Sequence, residues 1–447
     1  GEVAGRSTGR GVFADSVRRF VLGGAAAGHG ASHHLATQAA MRKLADHWLS
    51  PFAAGIREAD LTPVLGENRS HCHRRSPSRI CPLVIVRGGA IFVHVPVKSR
   101  LFVEPLPSCS QLGSDSPAGV SMRRLKVVLR LIHAALARQR SPLPDFAVRV
   151  CVDELCHGMF ERRPLPWLTM ISCATFPSLP AVQWNTLKGR DPPLSAWDSA
   201  LTAREAERPA AEAAWSCRAA KAVFRGTAAE PYSTNHRWTS NRTLVRLPIF
   251  RRKWREQGRL ALVWHHCVRP TELDVYVHGL QGPKPAVGKL LRSESAEYNR
   301  CLTRLGAGKT AQDKALTLAE QTRRFRYVVH VEGVGGWADR LKHLLLSHAA
   351  LIKQDSGVGE WFEPLLRASE HYMPVASDLS NISEAVLWLR SHDAEARRMA
   401  RAASEAAGRF LSTAALTAYM EALTVGYARL YRDAATVPTL LARLPES

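Results

Sequence analysis

The 447 residues include 61 Lys and Arg against 39 Asp and Glu, a formal net charge of +22. This surplus is spread along the whole chain with no zinc-finger, RNP-type or basic-zipper pattern beside it, so it reads as solvated surface and argues against nucleic-acid binding. Hydrophobic residues make up 46%, enough for a sizeable core and too many for a disordered chain, while no apolar run reaches the roughly 18 residues of a membrane-spanning helix.

The chain starts at Gly1 rather than Met, from which we expect a fragment or a processed form, with any signal peptide or membrane anchor outside it. Residues 1–35 read as a loose lead-in. Thr37 to Trp48 predicts an amphipathic helix with Ala40, Met41, Leu44 and Trp48 on one face. Residues 66–81 are polar and basic, a loop. Leu83 to Val95 predicts two β-branched strands around Gly88-Gly89, a hairpin signal. Met122 to Gln139 is an amphipathic helix stopped by Pro142 and Pro144. The strand that begins at Asp145 then delivers Asp153 and Glu154 at its end. Pro209 is expected to break the Ala-rich helix over 203–219. The second half repeats the alternation of strand and helix. Strands are expected at Lys221–Phe224, Leu260–Trp264, Phe325–Val331 and Ala349–Lys353. Helices are expected over 241–253, over 338–347 and from Asp378 toward Arg390.

None of the nine cysteines forms a CxxC pair, so no zinc site is expected. Their number is odd, which leaves at least one free or paired between chains. Cys72 and Cys81 are close enough in sequence to bridge, as are Cys151 and Cys156. Asn68, Asn241 and Asn381 stand in N-x-S/T acceptors, but Asn381 followed by Glu384 reads instead as a helix cap.

Two Gly-containing turns after apolar strands carry the chemistry. One is Phe224-Arg225-Gly226-Thr227. The other is Glu332-Gly333-Val334-Gly335-Gly336, followed by Arg340. In open α/β sheets such strand ends bind ligands. Glycines let backbone approach a diphosphate, and an arginine adds bidentate phosphate contacts.

These blocks carry a resemblance. Phe325 to Leu346 resembles the donor-site segment of the capsule-associated (CAP-ten type) and protein O-glucosyltransferase family. The blocks Gln354-Asp355-Ser356, Glu360-Trp361-Phe362, His371-Tyr372-Met373-Pro374-Val375 and Asp378-Leu379-Ser380 follow in the family's order. Phe224 to Thr227 matches its Phe-Arg-Gly-Ser/Thr block. The likeness covers residues 140–430, most closely 220–385.

The resemblance implies an α/β, GT-B-like fold with two Rossmann-type domains facing a cleft. Residues 1–110 would form an irregular N-terminal extension with a helix and a hairpin, and 111–215 an acceptor-side α/β domain. Residues 216–385 would form the nucleotide-sugar-binding domain and 386–447 C-terminal helices. It implies an inverting transferase moving glucose or xylose from a UDP-sugar to a protein or glycan hydroxyl in the endoplasmic reticulum or Golgi lumen, with no metal or other cofactor. Leu143-Pro144-Asp145 opens the strand that in this family ends in the general base, which puts that role on Asp153 or Glu154. Leu155-Cys156 departs from the family's Tyr-Pro or Arg-Pro at the next position. Arg225, Gly226, Thr227, Gly333, Gly335, Gly336, Arg340, Ser356 and Glu360 are the donor-binding candidates. The alternative is a non-catalytic relative that binds a sugar nucleotide or glycan.

Overall fold

The computed structural model describes residues 31–62, 81–95, 100–103, 117–152, 163–174, 176–182, 195–227, 258–278, 300–301, 316–333 and 338–444. Among them are eleven α-helices and two main sheets, a mixed α/β architecture.

Helix α1 (Ala31–Leu49) precedes strands β1 (Leu83–Arg87), β2 (Ala90–Val95) and β3 (Arg100–Val103). Gly88 and Gly89 both take positive φ, 56° and 83°, the conformation that a two-residue hairpin turn demands. Helix α2 (Pro117–Ala137) leads to β4 (Phe146–Arg149), giving an antiparallel sheet of order β3-β2-β1-β4. Asp145 Oδ1 accepts a hydrogen bond from the Gly88 amide at 2.8 Å, tying the start of β4 to the hairpin turn. Next come β5 (Leu165–Thr169), β6 (Ser172–Cys173) and β7 (Ser178–Pro180). The Cys151 amide donates to Leu168 O at 2.7 Å beside a parallel bridge, and β5 pairs in parallel with β7.

Pro209 does divide the next helical stretch, into α3 (Ser195–Ala206) and α4 (Arg208–Ala213). A second sheet follows, built from β8 (Ala219–Thr227), β9 (Leu273–His278), β10 (Phe325–His330), β11 (Ala350–Gln354) and, after the short β12 (Val358–Gly359), β13 (Met373–Val375). All four pairings are parallel in the order β13-β11-β10-β8-β9. Helices α5 (Gly258–Val268), α6 (Leu318–Arg324) and α7 (Leu341–Leu345) lie between its strands. Helices α8 (Ile382–Ser391), α9 (Asp393–Phe410), α10 (Thr413–Leu430) and α11 (Val437–Ala442) close the chain.

Three expectations are corrected here. Leu260–Trp264 is not a strand but part of α5, and β9 lies beyond it. A five-residue apolar run has no decisive period, whereas Leu262, Val263, His266 and Cys267 are all buried at helical spacing. Cys81 bridges Cys151 across 70 residues, not Cys72, and Cys267 bridges Cys301. Asn381 stands at the N-cap of α8 without a side-chain cap, because its Oδ1 accepts from the Ala376 amide at 2.8 Å instead. Asn68, Asn241 and the segment 241–253 lie outside the described residues.

Helix α10 crosses back to the first half of the chain. Tyr427 Oη donates to Ala147 O at 3.0 Å and Tyr419 Oη to Pro180 O at 2.6 Å. Trp361 stacks on Tyr419 at 4.8 Å and accepts at its carbonyl from Trp48 Nε1 at 3.0 Å. At Gly426 a Cβ would stand 2.4 Å from Leu49 Cδ1, so α10 and α1 approach as closely as only glycine allows, whereas at Gly408 a Cβ would meet nothing within 4 Å. Gly426→Val is therefore expected to cost about 1–3 kcal/mol from overpacking. Gly408→Ala should gain about 0.4–1 kcal/mol. Urea unfolding of the two variants measures both, and equal effects would contradict the packing described.

Candidate active site

Strands β8 and β10 are neighbours in the sheet, but the chain leaves β8 for one edge and β10 for the other. Their C-terminal ends therefore meet at a topological switch point, the place where open α/β sheets bind ligands. Four of the predicted positions sit on these two strand ends: Arg225, Gly226 and Thr227 close β8, and Gly333 follows β10.

Arg225 is committed to the sheet. Its Nη2 pairs with Asp274 Oδ1 on β9 at 2.8 Å and its Nη1 donates to Asp274 O at 2.8 Å, with its side chain 3% exposed. Gly226 has room for hydrogen only, since a Cβ would lie 2.7 Å from Phe224 Cζ and 3.6 Å from Arg340 Nη1. The Phe224 ring so placed is a platform for two guanidiniums, Arg340 at 4.6 Å and Arg259 at 5.8 Å.

Arg340 arrives from the residue just before α7. Its Nη1 donates to Arg225 O at 3.0 Å and its Nη2 to Gln321 Oε1 at 3.5 Å. Its Nε has no hydrogen-bond partner and no carboxylate pairs with it among the described residues. Burial, then the charge of Arg259, pull its pKa down to about 9, which leaves it a cation at neutral pH. A half-buried cation with no counter-charge among the described residues is a place for an anion.

A second layer of buried polar groups lies along β10 and β11. His330 Nε2 stands 3.3 Å from Glu332 Oε1, and Ser356 Oγ donates to the same oxygen at 3.4 Å. Gln354 bridges two elements: its Oε1 accepts from the Glu332 amide at 3.2 Å and its Nε2 donates to Ser377 O at 2.7 Å. Burial pushes Glu332 up to about 7 against the pull of Lys353 and Arg259. Burial, with Lys353 next, holds His330 well below its ordinary value, hence neutral.

Lys353 pairs with Glu363 at 2.7 Å, and Glu363 in turn accepts from the Glu360 amide at 2.8 Å. Glu360 Oε2 reaches Lys342 at 3.5 Å, but Asp339 holds that ammonium more closely, at 2.7 Å. Lys342 therefore stays charged, and burial pushes Glu360 up to about 8.

The structure thus brings Gly226, Arg340, Ser356 and the strand ends into one region, turns Arg225 onto β9, and places Glu360 against Lys342. Gly335, Gly336, Asp153 and Glu154 lie outside the described residues. Residue 152, immediately before that acidic pair, is held at its carbonyl by Arg124 Nη1 at 2.9 Å. His330, Glu332, Lys353 and Arg259 were not singled out from the sequence as site residues. Their signal is a polar side chain inside otherwise apolar runs such as Phe325–Val331 and Ala350–Gln354.

Fold and site define an open-sheet α/β protein with a pair of cations, Arg340 and Arg259, over the Phe224 ring at its switch point. Residues 287–446 match the family described as glycosyl transferase family 90, and the chain resembles the protein O-glucosyltransferases and capsule-associated proteins. It is 34% identical over 107 residues to Protein O-glucosyltransferase 2 of Danio rerio, covering 24% of this chain and 21% of that protein. To Protein O-glucosyltransferase 1 of Mus musculus it is 30% identical over 106 residues, covering 24% of this chain and 27% of the relative. Uncharacterized protein 035R of Invertebrate iridescent virus 3 is 28% identical over 187 residues, 42% of this chain and 14% of that protein. The aligned segments thus span between 14% and 27% of these relatives' lengths.

The raised Glu332 has a pH signature. Its folded value of about 7 lies above the ordinary 4.5, so between those pH values the folded chain holds a proton that the unfolded chain has lost. Stability falls as pH rises through that window. Glu332→Gln removes this loss, so its stability relative to the parent should improve from pH 5 to pH 8 in urea titrations. A pH-independent difference would contradict the buried placement.

Proposed function

We propose that the protein is an inverting glycosyltransferase that moves a sugar, glucose or xylose, from a UDP-sugar to a hydroxyl on a protein or glycan. The observation that carries this reading is Arg340, a guanidinium with no carboxylate partner among the described residues, stacked on Phe224 at the switch point, within the segment that matches glycosyl transferase family 90. The GT-B-like arrangement belongs to the same proposal. It is supported by the five-stranded parallel sheet and by the parallel contacts that join β4, β5 and β7 in the first half.

In this reading Arg340 and the backbone amides near Gly226, Thr227 and Gly333 to Gly336 receive the diphosphate. Arg225 acts by fixing the end of β8 through Asp274. Ser356 and Glu360 flank the donor's ribose or sugar. Either Asp153 or Glu154 takes the acceptor hydroxyl's proton while that oxygen bonds to the anomeric carbon. The bond from that carbon to the phosphate oxygen breaks with its electron pair leaving on UDP. The growing negative charge falls to Arg340 and the amides, with no metal assigned to the step.

The disulfides Cys81–Cys151 and Cys267–Cys301 support an oxidising compartment such as the endoplasmic reticulum or Golgi lumen. Among the described residues no helix is long and apolar enough to cross a membrane.

A UDP-release assay across a panel of UDP-sugars tests the proposal. Arg340→Gln is expected to lower kcat/KM by about 10²-fold or more through lost charge stabilisation. Of Asp153→Asn and Glu154→Gln, one should lower kcat by about 10²–10⁴-fold. Turnover that survives in both acidic variants would sink the base assignment. UDP binding without turnover of any donor would favour a non-catalytic relative.

A further inference from the structure

A cavity of about 1480 Å³ opens between α3, the C-terminal end of α9 and the chain from β11 to β13. It exceeds the roughly 300–1,000 Å³ of ordinary small-molecule pockets, so its occupant is extended. We propose that this cavity binds a neutral oligosaccharide. The proposal stands on the cavity's own chemistry, and Lys353, Gln354 and Glu363 in its wall belong also to the buried polar layer of the candidate site.

Charge comes first. The chain carries +22, yet the wall of this cavity is close to balanced. Arg208 meets Glu205 at 2.7 Å and Glu405 at 3.5 Å. Lys353 meets Glu363 at 2.7 Å, and Arg367 pairs with Glu370. Asp355 and Arg409 complete the charged lining with opposite signs. His371 adds no charge at neutral pH, because burial lowers its pKa to about 4. A polyanion or a polycation would meet as much repulsion as attraction here. A neutral molecule rich in hydroxyls suits it, donating to each carboxylate and accepting from each guanidinium.

Two buried polar groups point to the same ligand class. Ser404 is 1% exposed and lines the cavity, and its Oγ has no hydrogen-bond partner among the described residues. The Nε of Arg409, one turn further along α9, is likewise unpartnered, and its guanidinium lies 5.1 Å from the Phe410 ring. Buried donors and acceptors are rarely left unmade, and a hydroxylated ligand would complete both. Phe410 and Tyr372 also line the cavity and supply ring faces for the C–H side of a sugar.

Gly408 provides a way to close the site. Open space surrounds its Cβ direction and it lines the cavity, so Gly408→Leu fills the void without displacing an existing contact. The test is calorimetric titration with maltohexaose, xylohexaose and a mannohexaose, beside a heparin hexasaccharide as the anionic control. At least one neutral probe should bind saturably at millimolar concentration or below. Its affinity should fall about tenfold or more in both Gly408→Leu and Arg409→Gln, with melting temperature not lowered and UDP affinity unchanged. The proposal is overturned if no neutral probe binds, if the two folded variants bind as the parent does, or if the heparin fragment binds more tightly and is displaced by Gly408→Leu.

Discussion

The parallel pairing of β8 with β10 is the constraint from which the site follows. These strands are about a hundred residues apart in sequence and adjacent in space, with Tyr327 opposite Ala222 and Val328 opposite Val223. The chain leaves them toward opposite edges of the sheet, which makes their C-terminal ends a topological switch point. The chemistry there is set by what the strand ends carry, and here they carry charge. Gly226 is needed because the Phe224 ring curls back under it, and that ring in turn holds Arg340 over the opening. A single side-chain-free position thus sets where the Arg340 cation stands.

Around this opening, buried charge is arranged in chains instead of isolated pairs. Lys353 joins Glu363, Glu363 accepts from the Glu360 amide, and Glu360 leans on Lys342. Taking charges out of water is costly unless each finds a partner, and most of these do. Glu332 and Glu360, pushed up by burial, are the members whose ionisation is least supported. Helix α10 and Trp361 connect this half to the first sheet through buried tyrosine and tryptophan hydrogen bonds, so the polar network rests on a hydrophobic cluster that includes residues from both halves.

Local chemistry explains how much of this was legible beforehand. Gly88-Gly89 between β-branched runs could form only a tight hairpin, and Phe325–Val331 before a Gly turn could be read as a buried strand. Leu260–Trp264 misled because a short apolar run suits helix and strand alike, and only burial at 262, 263, 266 and 267 decides it. Disulfide pairing depends on which strands meet: Cys81 and Cys151 come together because β1 pairs with β4, information that spacing does not contain. Arg225 and Arg340 look equivalent in sequence, yet Asp274 neutralises the first while the second meets no carboxylate among the described residues, and Asp274 belongs to a neighbouring strand that sequence reading placed wrongly. The roles of Glu332 and His330 emerge only once β10 and β11 lie side by side.

A structure of the protein crystallised with UDP tests the central claim most directly. The account predicts the diphosphate in the crevice between the ends of β8 and β10, with an oxygen within hydrogen-bond distance of the Arg340 guanidinium and backbone amides near Gly226. UDP bound elsewhere, including the cavity beside α9, with Arg340 still unpaired, would contradict it.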